Sequence, residues 1–398
     1  MKNKNLILSL LILITAFIFS SCSDDQSGIV TSTNSSTDEI PDFTENGQNP
    51  DDLDLSKQAD QFGPGYLYLE SNDATINSIL VYKQYFDGTI TLQSTVESGG
   101  SGTGGGLGNQ GAIALENGNW LFAVNAGSGS VSSFKMSHSG NLTLKNTIES
   151  GGKTPVSLTV HGRILYVVNA GSDNIAGFKV MENGSFQPIP GSLQTLSTTG
   201  AGAAQISFAP NGRYLYVTEK ATNMITIFPV NGQGVAGPGN SMNSTGQTPF
   251  GFDFARNRFM IVSNAAGGAP NQSSATSYAN ILNGIPNPVN GAVGNNQAAA
   301  CWVGTTKHGS YAYVTNTASN NISSYYVAPF GAIFVANEAM KTDDGPTEII
   351  VSKNNLYVHV LNAASHTITS FRRTIIGGLE LIGTTSGIPV AATGIAAD

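Results

Sequence analysis

The chain has 398 residues, two cysteines and a formal net charge of −8. Only 11% of its residues are charged while 47 are glycine, a balance that suits turn-rich β proteins with polar, uncharged surfaces. Ten of the acids fall in residues 22–60, against Lys57 alone; residues 61–398 are left at −1, which gives no electrostatic footprint for nucleic acid or anionic lipid.

The N-terminus reads as an export signal over residues 1–21. Lys2 and Lys4 form the charged region, and residues 6–19 are an apolar run too short to span a bilayer comfortably. The run ends in Phe19-Ser20-Ser21-Cys22, small residues before a cysteine, as in a bacterial lipobox. Cleavage there would leave Cys22 as a lipidated N-terminus. A plain secretory signal is the alternative. Residues 22–60 follow as an acidic tether, poor in large apolar residues and expected to stay disordered. Its Ser23-Asp24-Asp25 start resembles the surface-export tag of Bacteroidetes lipoproteins, and an ordinary acidic linker has the same composition. The expected location is the outer membrane, on either face, with the lipid on Cys22 as the only membrane contact.

From residue 61 onward one phrase recurs. It reads Leu165-Tyr166-Val167-Val168-Asn169, then Leu215-Tyr216-Val217-Thr218-Glu219 and Ala312-Tyr313-Val314-Thr315-Asn316. Looser copies end at Asn72, Asn125, Asn264 and Asn362. A spacing of roughly 48 residues signals a propeller or an array. Within the third unit, residues 155–160 and 174–180 alternate as half-buried strands, and residues 164–169 form a β-rich apolar strand between turns. A weaker strand follows near Phe186. Four short antiparallel strands per unit define a propeller blade, and no long 3.6-residue apolar period predicts helix. Residues 66–98 lack a first strand, whereas residues 389–396 are a first strand with no blade after it. The expected fold is therefore all-β: a seven-bladed ring over residues 61–398, closed by the C-terminal strand completing blade one. Closure removes open sheet edges.

The phrase Tyr313-Val314-Thr315-Asn316 followed by Asn321-Ile322-Ser323-Ser324-Tyr325 resembles the YVTN-repeat propellers. It is closer still to the lactonase family of seven-bladed propellers, which includes 6-phosphogluconolactonases and carboxymuconate cyclases. Thr248-Pro249-Phe250-Gly251-Phe252 and Cys301-Trp302-Val303 resemble a bacterial carboxymuconate-cyclase-like branch. The resemblance spans about residues 64–398 and implies the fold more strongly than a reaction.

In a propeller the first strand of each blade lines the channel and the second runs back beside it. Alignment of the units gives one channel position per blade: Gly111, Ser157, Gln205, Gly251, Trp302, Glu348 and Ala391. Ser157, Gln205, Trp302 and Glu348 are the candidate ligand contacts at the channel rim. At the end of strand two, Asn recurs as a turn ligand, and Glu219 is the exception. A carboxylate there is the candidate acid/base group if the protein is catalytic, a role the resemblance also implies. The family's enzymes carry His where Gln205 stands, and Gln cannot shuttle a proton. Arg213, Arg256 and Arg258 fall in turns on the opposite rim. His138, His161, His308, His359 and His366 show no metal-ligand spacing, so neither a metal nor a cofactor is expected. Cys301, in an apolar run, reads as a small buried hydrophobe. The glycine-rich residues 99–106 lack the lysine of a phosphate loop and read as a flexible connection between blades.

Two functions remain open, and the sequence leaves undecided whether the protein is an enzyme. One is a monomeric, surface- or periplasm-exposed propeller that binds a small molecule, glycan, peptide or protein at the channel rim. The other is a hydrolase or cyclase acting on a sugar- or muconate-type lactone, with Glu219 as acid/base and Gln205 as orienter.

Overall fold

A computed structural model describes Asp51, residues 65–116 and residues 119–398. The expected signal peptide, Cys22 and all of the expected tether except Asp51 lie outside the described residues. The described chain forms seven antiparallel sheets, six with their strands in chain order and one whose inner strand comes from the C-terminus. The sheets are arranged as the blades of a ring. Apart from Asp51, helix among the described residues is limited to four single 3₁₀ turns.

The inner strands, from blade one to blade seven, are Thr393–Ala397, Ile113–Glu116, Pro155–His161, Ala203–Phe208, Pro249–Ala255, Ala300–Thr305 and Pro346–Val351. Their second strands are Gly65–Glu70, Trp120–Asn125, Ile164–Asn169, Tyr214–Glu219, Phe259–Asn264, Tyr311–Asn316 and Tyr357–Asn362. Blade one is closed as expected. Thr393–Ala397 pairs antiparallel with Gly65–Glu70, with Ile395 opposite Leu69.

The repeated phrase is largely apolar because second strands are buried on both faces. Leu165 to Val168 and Leu215 to Val217 are fully inaccessible. The core is divided into clusters between neighbouring blades, such as Val156, Ile175, Ile206, Leu215 and Val217 between blades three and four. The phrase's tyrosine carries a polar tip that must be satisfied when buried. The Tyr68, Tyr166 and Tyr216 hydroxyls donate to the carbonyls of Gly140, Gly234 and Ile281, at 3.3, 2.7 and 2.7 Å. Each acceptor lies in an outer turn of another blade, so the tyrosine links blades as well as filling space.

Register corrects blades one and two. The seven-residue connection after Glu70 puts Ser71, and not Asn72, at the second-strand end, with Ser71 N bonded to Ser78 O at 2.9 Å. The pairing Leu69–Ile395 makes Gly394, and not Ala391, the channel position of blade one. In blade two the position moves from Gly111 to Ala112, whose carbonyl accepts from Val124 N. The third strand of blade five is Ser274–Ala279.

Candidate functional site

The connection from blade one to blade two decides what the channel can be. Residues 99–106 are pinned to blade one. Asn72 Nδ2 donates to Gly105 O at 2.6 Å, and Gly102 N to Asp73 O at 2.6 Å. A Cβ on Gly102 would sit 2.2 Å from the Asn72 carbonyl carbon, so this backbone approach requires glycine. The stretch is held in place, contrary to the expected flexible loop.

The next residues run into the ring centre. Lys220 Nζ donates to Gly108 O, and Asn109 Nδ2 to Val156 O. Trp302 Nε1 donates to Asn109 O at 2.5 Å, and Thr393 Oγ1 to Asn109 Oδ1 at 3.2 Å. Gln110 spans the channel. Its Nε2 donates to Val303 O at 2.7 Å, its Oε1 accepts from Val303 N at 2.9 Å, and its backbone N reaches Ala204 O at 3.0 Å. Residues 108–110 thus bridge blades one, three, four and six and plug the channel near the ends of the second strands, here called the upper rim. Gly251 is glycine for the same reason: its Cβ would lie 2.0 Å from Gln110 Oε1.

The expected ligand contacts are largely occupied by internal bonds. Ser157 Oγ accepts from Ile206 N at 3.1 Å, in the next blade. Gln205 brackets Phe252 of the next blade, donating to its carbonyl at 3.0 Å and accepting from its N–H at 2.7 Å. Trp302 holds the plug and packs on Phe250 with ring centroids 4.7 Å apart. Glu348 Oε1 accepts from Gly394 N at 3.2 Å.

Glu219 is fully inaccessible to solvent. Its Oε1 accepts from Ser197 N at 3.2 Å and from Thr226 Oγ1 at 2.5 Å. Its Oε2 accepts from Thr222 Oγ1 at 2.8 Å and from Ser197 Oγ. It fills the slot of the repeat's Asn and makes the same i to i+7 link that Asn125 makes to Ser132 and Asn316 to Ser323. Glu219 and Gln205 share no bond, and no arginine joins them. Arg256 lies in a turn of the opposite, lower rim, donating to Val327 O at 2.9 Å. Cys301 is buried.

Below the plug the channel is hollow. A cavity of about 260 Å³ is lined by Gln110, Gln205, Asp253, Glu348 and apolar residues that include Ile113, Phe252, Ile349 and Ile395. A wider depression of about 530 Å³ on the lower rim is lined by Pro210, Asn211, Asp253, Phe254, Asn257 and Leu282. Asp253 lines both. None of these lining residues is cationic. Asp253 Oδ2 accepts from Thr305 N at 2.9 Å and Oγ1 at 2.8 Å, and Oδ1 from Phe254 N at 2.7 Å. Burial nevertheless pushes its carboxyl above the usual range. Burial likewise raises Glu348 to about 8, beyond what bonds from Gly394 and Trp302 offset. Asp253, in the inner strand Pro249–Ala255 of blade five, was not singled out by sequence.

A second buried carboxylate, Glu70, was also missed. It occupies the position before the second-strand end, held elsewhere by Val124, Val168, Thr218, Ser263, Thr315 and Leu361. Asn77 Nδ2 donates to its Oε1 at 2.6 Å, while Oε2 has no partner. Burial, with Glu348 adding electrostatic repulsion, holds Glu70 well above the ordinary range. The signal was present in Leu67-Tyr68-Leu69-Glu70, once that copy is read one residue shorter. Among the described residues, no group of three or more His, Cys, Asp or Glu could hold a metal ion.

This ring of seven four-stranded blades, with its inner-strand channel, is the architecture of a lactonase-type propeller. The profile of the family "Lactonase, 7-bladed beta-propeller" matches residues 66–198 and 181–269, and the chain belongs to that family. Similar solved structures include a 6-phosphogluconolactonase candidate from Bacteroides fragilis, 16% identical, covering 84% of this chain and 98% of that one with a TM-score of 0.69. The periplasmic gluconolactonase of Pseudomonas aeruginosa is 16% identical, covers 84% and 99%, and has a TM-score of 0.68. A protein from Lactobacillus plantarum is 14% identical, covers 84% and 99%, and has a TM-score of 0.69. At such identities the likeness is one of fold. A search of curated proteins finds no match.

Proposed function

We propose that this protein is an exported, lipid-anchored propeller that binds a small uncharged hydroxylated ligand, of the sugar or lactone class, in the channel cavity below the plug. The observation that carries this reading is the cavity of about 260 Å³ meeting the lower-rim depression at Asp253. Its size suits a monosaccharide-scale ligand. Its polar wall sets Gln110 and Gln205 beside the carboxyl groups of Asp253 and Glu348, whose burial favours the neutral, proton-bearing form, which can donate as well as accept hydrogen bonds to hydroxyls. A wall without cations disfavours phosphorylated or carboxylated ligands. The lipid anchor at Cys22 and the monomeric state are supported by the sequence of residues 1–60 and by the closed ring.

The second reading is lactone hydrolysis, favoured by the family and by the gluconolactonase among similar folds. In that reading Asp253 or Glu348 is the acid/base, because Glu219 has its oxygens bonded and no access to solvent. Calorimetric titration with glucono-δ-lactone, glucose, gluconate and 6-phosphogluconate, alongside pH-stat hydrolysis, tests both. Saturable binding of the neutral compounds, weakened about tenfold or more by Asp253→Ala, supports the proposal. Preference for the phosphorylated compound overturns it. Turnover abolished by Asp253→Asn establishes the hydrolase, and turnover abolished by Glu219→Gln with the fold intact returns the chemistry to the upper rim.

A further inference from the structure

Asp51 is the one described residue of the expected tether, and its side chain is fully buried against the ring. Its carboxylate meets the first hairpin turns of blades six and seven on the lower rim. Oδ1 accepts from His308 N at 2.9 Å and from Asn355 Nδ2 at 3.0 Å. Oδ2 accepts from Ser310 N at 2.8 Å and from Thr306 Oγ1 at 2.7 Å. Four donors converging on one carboxylate, two of them backbone N–H groups of a single turn, form a built anion site.

Arg373 is 2% exposed, and its Nη1 donates at 2.6 Å to the carbonyl of Asn355, the residue whose amide holds Asp51. Arg373 Nε donates to Tyr313 Oη at 3.2 Å, and Nη2 is buried without a hydrogen-bond partner. Burial pushes the Asp51 carboxyl up, but the bonds from Thr306, His308 and Ser310 outweigh it and hold the group below its ordinary value.

We propose that the first hairpin turns of blades six and seven form a carboxylate-receiving pocket whose ligand is this chain's own acidic N-terminal segment, inserted through Asp51. The chain is thereby tied to the lower rim of the ring at Asp51. The tie lies beside the candidate cavity. Ser310, which donates to Asp51, accepts at 3.4 Å from Arg256, and the adjacent Asn257 lines the lower-rim depression. The pocket stands whether or not the cavity binds a sugar or a lactone.

The test uses the full-length chain and its Asp51→Ala variant. Hydrogen exchange at the His308 and Ser310 amides should accelerate about ten- to a hundredfold in the variant, the size expected when a bond to a charged acceptor is lost. A fluorescent peptide of residues 46–56 should bind the variant, whose pocket is vacated, and not the wild type. The same peptide carrying Asp51→Asn should bind neither. Unchanged exchange at both amides, equal peptide binding to wild type and variant, or indifference to Asp51→Asn overturns the proposal.

Discussion

Glu348 offers the sharpest quantitative test of the buried channel. Its carboxyl is 3% exposed, and its pKa rises from 4.5 to about 8, mainly because burial penalises the ionised form. Below about pH 4.5 the group is protonated in both folded and unfolded chains and contributes no pH dependence. Between 4.5 and 8 the unfolded chain releases the proton and the folded chain keeps it, so stability falls as pH rises, by up to about 1.4 kcal/mol per pH unit. Above about 8 both states are ionised and the loss is complete at roughly 5 kcal/mol. Glu348→Gln keeps the shape and the acceptor for Gly394 N but cannot ionise. It also relieves the repulsion that Glu348 exerts on Glu70, which acts in the same direction. Urea unfolding of wild type and variant should therefore give similar stabilities near about pH 5, with the variant ahead by several kcal/mol near about pH 8.5. A difference between the two proteins that stays flat across this range refutes the argument.

Glu219→Gln should cost about 1–3 kcal/mol in urea unfolding, because an amide nitrogen would face groups that now donate to a carboxylate; it should leave ligand affinity unchanged, and lost affinity with normal stability would place Glu219 in the site after all. Gly251→Ala should lower the thermal midpoint by driving Gln110 from Val303, and an unchanged midpoint would mean that the plug adapts freely. Deletion of residues 393–398 removes the inner strand of blade one together with buried Ile395 and Ala396, and should cost at least about 3 kcal/mol by differential scanning calorimetry. Full stability in the truncated chain would contradict closure by that strand.

The ring was legible in the chain because a propeller blade is a local object. Alternation, turn residues and the buried phrase around Tyr166 or Tyr216 are each complete within one repeat. The orphan strand near residue 395 needed only a count of blades. Register at the closure was less legible. Pairing Ile395 with Leu69 joins segments at opposite ends of the chain, and the long connection after Glu70 hid a one-residue shift that concealed a buried acid. The site was decided by tertiary structure. Glu219 stands out by composition, but whether a carboxylate is a catalyst or a turn ligand depends on the Ser197, Thr222 and Thr226 donors around it. Gln205, Ser157 and Trp302 were correctly placed on inner strands, yet their polar atoms are occupied by other blades and by the plug. The plug itself, Gly108 to Gln110, lies outside the repeat and touches residues up to 284 positions away. Repetition in sequence reports what each blade shares, whereas the contents of the channel depend on contacts made once, across the ring.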